Sequence, residues 1–149
     1  MDYQIKYYNR GFSLVELLIV IGIIALFATT STGVYYSLRS NTSLELNTGS
    51  IVEAVRLAQS SAQSGKGDAK WGVKISANQL TIFEGNSYSA RNASADQVYG
   101  ISGDVSMSGV SEIVFEKVTG ATTGAGTITV TNGSGVRNII INEKGTVIY

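Results

Sequence analysis

Acid–base chemistry needs side chains that give and take protons, and this chain offers few. Histidine and cysteine are both absent, which removes the commonest general base, the commonest metal ligand and every thiolate. The candidates that remain are carboxylates: Asp68, Asp96, Asp104, Glu112 and Glu116. Two carboxylates about 5–10 Å apart can cleave a glycoside, yet nothing in this spacing brings two together. Glu112 and Glu116 are separated by an even number of residues, which puts both on one exposed strand face. Serines are plentiful, but no histidine can activate one and no G-x-S-x-G elbow occurs. The glycines from Gly120 to Gly126 lie between strands with no helix behind them, unlike a phosphate-cradling loop. "SGDVSMSG" and "NASAD" hold too few acids for calcium. The expectation is no catalytic residue, no metal and no cofactor.

One acid stands out for its surroundings. Glu16 lies in "NRGFSLVELLIVIGIIALFA", Asn9 to Ala28, where from Phe12 onward only Ser13 and Glu16 are not apolar. A charge near a bilayer centre costs about 2.5–3.5 kcal/mol on insertion scales, so Glu16 needs a partner or is misplaced for a simple anchor. As a helix the run spans about 25 Å, the short end of what crosses a bilayer. Tyr35 and Tyr36 follow where an aromatic belt is expected, and Lys6 and Arg10 precede the run, which directs Met1 to Arg10 to the cytoplasm. A cleaved secretory signal or a plain signal-anchor would also be apolar here, with "ATTSTGVYYS" as a possible cleavage region. Neither accounts for Glu16 or for Gly11 at the polar-to-apolar junction.

These residues must be held by larger elements. Of 149 residues, about 120 follow the apolar run, enough for one small domain with its own core. Val34, Leu38, Leu44, Ile51, Val55, Ala58 and Ala62 recur at near-helical spacing, with Glu45, Glu53 and Arg56 off that stripe. The spacing predicts a helix from about Phe12 to about Ser64, ended by "SGKGD", Ser64 to Asp68. Gly22 and Gly33 could favour close helix packing, and Gly33 could instead weaken the helix locally.

Beyond it, "WGVKIS" and "LTIF" alternate as a hairpin. Glu84 to Gln97 reads as a polar loop, "VYGISGDVSM" as one or two short strands, and Glu112 to Val118 as a strand. Thr119 to Gly126 reads as a small-residue loop. "TITVT", "VRNIII" and "TVIY" form a meander across "NGSG" and "NEKG". A long helix followed by strands predicts an α+β fold, with an antiparallel sheet over the helix's second half. Eleven basic and eleven acidic residues cancel, so no bulk field draws in nucleic acid. Arg137 is the only arginine after Arg91, and phosphate binding needs clustered cations.

"RGFSLVELLIVIGIIAL" resembles the class III signal of type IV prepilins and type II secretion pseudopilins. The resemblance implies that a prepilin peptidase cuts between Gly11 and Phe12 and methylates the new N-terminus at Phe12. Lys6 and Arg10 would then be leader charges, and Glu16 the fifth residue, guiding assembly. Its carboxylate would neutralise the terminal amine of a neighbouring subunit, or the amine of its own chain. Many members carry a proline about twenty residues into the mature helix; this chain has none.

"AVRLAQSSAQ", "WGVKI", "EIVFEKVTGAT" and "IIINEKGTVIY" make the globular half similar to the GspH/FimT group of minor pilins and pseudopilins. Some FimT-like pilins take up DNA with arginines near the C-terminus, a motif missing here. The expected organisation is a leader at 1–11, a membrane and filament-core helix at 12–34, its amphipathic continuation at 35–64, and a β-rich domain at 65–149. The expected function is a non-enzymatic pilus or pseudopilus subunit with a minor role at the tip or in initiation, and nucleic acid is not an expected partner; a major pilin or a DNA- or surface-binding minor pilin is the alternative. Implied partners are other subunits, the peptidase, the inner-membrane assembly platform and the bilayer before assembly. The chain would sit in the inner membrane with its C-terminal domain outside, then in a periplasmic pseudopilus or surface pilus.

Overall fold

A computed structural model describes residues 11–133 and 135–149, with backbone alone for residues 29–38. Lys6 and Arg10, and the side chains of Val34, Tyr35, Tyr36 and Leu38, lie outside the described residues. Helix α1 covers Leu14–Gln63 and is helical at Gly33. The chain divides into two units between Tyr36 and Ser37.

In the first unit the side chains from Leu14 to Ile24 are exposed on every side of α1. Among the described residues no helix is long and apolar enough to cross a membrane. The described apolar side chains of α1 end at Ala28, about 22 Å from Leu14 at helical rise, against roughly 30 Å of hydrocarbon.

In the second unit α1 buries Leu44, Ile51, Val55, Ala58 and Ala62 as its spacing predicts, together with Val52 and Ala54. Glu45, Glu53 and Arg56 are exposed. Buried Asn47 and Thr48 interrupt the apolar stripe and are satisfied. Thr48 Oγ1 donates to Leu44 O at 2.7 Å, Asn47 Nδ2 donates to Ser43 O at 2.9 Å, and Asn47 Oδ1 accepts Ser102 N at 3.2 Å. Gly65 takes the left-handed conformation that ends the helix, with φ 68°. The C-terminal end of α1 is tied to residues far along the chain. Val118 N donates to Ala62 O at 2.9 Å, and Gln59 Nε2 donates to both Gly120 O and Lys144 O at 3.1 Å.

Eight strands follow: β1 Trp71–Ser76, β2 Gln79–Glu84, β3 Asn92–Gly100, β4 Ser106–Gly109, β5 Glu112–Phe115, β6 Gly126–Asn132, β7 Gly135–Ile141 and β8 Val147–Ile148. They form two antiparallel sheets where one was expected, in the orders β3-β2-β1-β5 and β4-β6-β7-β8. Val110 and Ser111 pass the chain from one to the other: Val110 N donates to Thr127 O in the second, and Ser111 O accepts from Ile75 N in the first. Both sheets share one core with α1, in which Trp71, Val73, Leu80, Ile82, Ile113 and Phe115 meet Ile128, Val130, Ile139 and Ile141. The fold is α+β, with an N-terminal helix and antiparallel sheets, consistent with a pilin-like architecture.

Two assignments from the sequence are corrected. Glu84 to Gln97 is not all loop, since β3 begins at Asn92 and pairs with β2. It is an edge strand with an exposed outer side, so it needs little apolar patterning. The strand expected from Glu112 to Val118 stops at Phe115, because Lys117 to Gly120 turns to cap α1. Val118 there has φ 70° and is exposed.

The outer face of the first sheet is covered as well. Phe83 and Thr81 are buried although they alternate with the inward-facing Leu80 and Ile82. The segment from Gly85 to Arg91 folds over them. Tyr88 meets Phe83 edge-on, 5.7 Å between centroids, and the Arg91 guanidinium lies 3.8 Å from the centre of the Tyr88 ring. Asp96 holds Arg91 Nε through both oxygens, at 2.8 and 3.1 Å, and Glu112 accepts Tyr88 N at 2.9 Å. Beneath them Gly72 has no room for a side chain: a Cβ would sit 2.6 Å from both the Phe83 ring and Ile113 O.

Candidate processing and assembly site

Gly11, Phe12 and Ser13 precede α1 in non-helical backbone. Ser13 O accepts Leu17 N at 3.1 Å, the first intrahelical bond, which makes Ser13 the N-cap residue. Glu16 is three residues further, in the first turn and exposed. There the helix dipole favours a negative charge. Ser13 and Glu16 have the S-x-x-E spacing of a capping box, a local signal carried by the sequence itself.

Phe12 is 84% exposed, and a Cβ on Gly11 would meet nothing within 4 Å. The junction is therefore open on the described side. Lys6 and Arg10, on its other side, are not described. From Leu17 to Ile24 the helix is apolar all round, a pattern that belongs inside lipid or among other helices.

The carboxylates weighed for catalysis are spread over the second unit, and four of them meet cations. Lys70 Nζ lies 2.6 Å from Glu116, Lys74 Nζ 3.7 Å from Glu112, and Arg91 Nε 2.8 Å from Asp96. Lys117 pairs with Asp68 and draws its carboxyl below the usual value through a hydrogen bond. Glu112 and Glu116 do face one hollow of about 260 Å³, with Lys70 and Thr123 on its wall, but each already has its own lysine. Arg137 Nη2 reaches Glu45 at 3.5 Å. Among the described residues no group of three or more acids is placed to hold a metal ion.

Asp104 is held below the ordinary carboxylate value chiefly by the Ser102 hydroxyl, then by Ser43, with Arg39 adding attraction. Its folded value lies below its unfolded one, so its contribution to stability is present above about 3.9 and is lost as pH falls through the lowered folded value. Asp104→Asn is expected to flatten the acid limb of the stability–pH curve below about pH 4. Unfolding by urea at stepped pH measures this, and an unchanged limb counts against it.

Residues 6–32 match the family model described as the prokaryotic N-terminal methylation motif. No curated protein and no solved structure matches the chain. The open Gly11–Phe12 junction, the first-turn acid and the apolar helix behind them all lie within the matched residues.

Proposed function

We propose that this chain is a structural subunit that prepilin peptidase cuts between Gly11 and Phe12 and methylates at Phe12, and that then assembles into a type IV pilus or type II secretion pseudopilus. The methylation motif over residues 6–32 carries this reading. Before assembly the apolar part of α1 holds the chain in the inner membrane, with Lys6 and Arg10 keeping the leader cytoplasmic. During assembly this stretch moves from lipid into a core of neighbouring helices, which explains a helix apolar on all sides.

Glu16 then meets the amine that cleavage creates on an adjacent subunit. A charge that is costly alone becomes tolerable when paired, and the pairing fixes axial register. The domain from Ser37 onward contributes contacts rather than catalysis, as a minor component of the GspH/FimT kind. A DNA-binding role has less support, because the Arg137 guanidinium faces Glu45 and phosphate binding needs several free cations.

Intact-mass and N-terminal peptide analysis of the native protein tests the reading. The expected result is a chain that begins at Phe12 and carries one methyl group on its amine. An N-terminus at Met1 in assembled material would refute it.

A further inference from the structure

The far edge of β3 has no strand beside it among the described residues. Edge strands are normally blunted by proline, lysine, bulges or a covering loop. This chain has no proline, and the irregularity in the β2–β3 ladder lies between Ile82 and Glu84, at the start of β3. From Gln97 to Gly100 the strand is regular and uncharged.

A flank of α1 runs alongside. Leu46, Ser50, Glu53 and Leu57 recur at intervals of four, three and four, which puts them on one side of the helix. Leu46 is 67% exposed and Leu57 40%, while Val98 on β3 is 59% exposed. Between flank and strand lies a groove of about 320 Å³, with Glu53 and Leu57 on one wall and Val98 and Tyr99 on the other. Glu53 is the one charged residue on these walls. Glu53 forms no ion pair among the described residues, as Glu84 and Glu143 form none, but it is the acid that faces this groove.

We propose that this groove binds an extended peptide segment of another protein, which adds to β3 as a fifth strand of the first sheet and brings a lysine or arginine to Glu53. The unpaired N–H and C=O groups of β3 call for a partner backbone in the extended form. The helix flank supplies what a bare edge lacks, a wall on which Ala54 and Leu57 meet apolar side chains of the partner. Glu53, the charged residue on the walls, sets the charge of that partner. The assignment stands on the folded second unit and does not depend on leader removal.

The test uses the full chain in detergent micelles and a fluorescent synthetic peptide, Lys-Val-Thr-Val-Lys-Val-Thr, blocked at both ends. A second peptide has the same side chains with alternate amides N-methylated, which removes its strand donors on one edge. The parent peptide is expected to bind saturably and to slow amide exchange at Gln97 to Gly100. The methylated peptide is expected to bind about tenfold more weakly or worse, and Glu53→Lys to weaken the parent about tenfold with the unfolding midpoint unchanged.

Equal binding of the two peptides, indifference to Glu53→Lys, protection elsewhere in the chain, or no binding of the parent at millimolar concentration would each overturn the proposal. So would self-association through the groove that the peptide cannot displace, since the occupant would then be a second copy of this chain.

Discussion

Glu16→Ala is expected to reach the membrane fraction in the amount of the unsubstituted chain and to be almost absent from purified filaments. The two effects have opposite electrostatic origins. Insertion loses a penalty of about 2.5–3.5 kcal/mol when the carboxylate is removed, so targeting does not suffer. Under the proposed function assembly loses the counter-charge of a buried amine, and breaking a buried pair by deleting one partner costs about 3–5 kcal/mol. That is enough to lower incorporation about a hundredfold or more.

Glu16→Gln keeps the shape and hydrogen-bonding capacity but not the charge, and is expected to fail with it. Immunoblots of membrane and sheared-filament fractions separate the two steps. Normal filament content for either variant would show that the first-turn acid serves only its own helix, as the Ser13–Glu16 spacing allows.

Phe83→Ala is expected to lower the unfolding free energy by about 3–5 kcal/mol, the usual cost of emptying a buried phenylalanine site. Against a total of roughly 5–15 kcal/mol for a native domain, that leaves little. The ring is fully buried between Gly72 and Tyr88, and the segment above it is held by Arg91 to Asp96 and by Tyr88 to Glu112. Its removal therefore leaves a cavity under a tethered cover that cannot readily collapse. Guanidinium unfolding followed by the fluorescence of Trp71, the chain's one tryptophan, measures the change. A loss below about 1 kcal/mol would show that the Gly85–Arg91 segment only rests on the sheet.

The parts of the fold legible in the sequence were those with local signals. The helical recurrence of Ile51, Val55, Ala58 and Ala62, the stop at Gly65, and the β1–β2 and β6–β7–β8 hairpins each depend on residues close in the chain. What stayed hidden depends on distant ones. Phe83 in "LTIF" gives no sign that the polar segment after it folds back, because Arg91, Tyr88 and Asp96 look like surface residues until they meet. Asn47 and Thr48 break the apolar stripe without becoming exposed, since Ser102 and Leu44 satisfy them.

The end of β5 was misplaced because Val118 has a strand former's side chain in a left-handed turn, where its amide reaches Ala62. At the candidate site, Gly11, Phe12 and Glu16 stand out in the sequence because they belong to one contiguous motif. The groove beside β3 was not, because α1 and β3 come together only in the folded chain.

The handover at Val110 and Ser111 bears on how the domain is made. Strands β1, β2 and β3 are sequential neighbours in one sheet, as are β6, β7 and β8 in the other, so each trio can form from near contacts alone. Only β4 and β5 cross between them, and β5 must reach back to β1 while β4 waits for β6. Near contacts form early and distant ones late, and an emerging chain folds from its N-terminus. The domain is thus expected to mature as two separately born meanders, stitched last along one line. Pulsed amide labelling during refolding would find the β4–β6 and β1–β5 ladders protected after all the others.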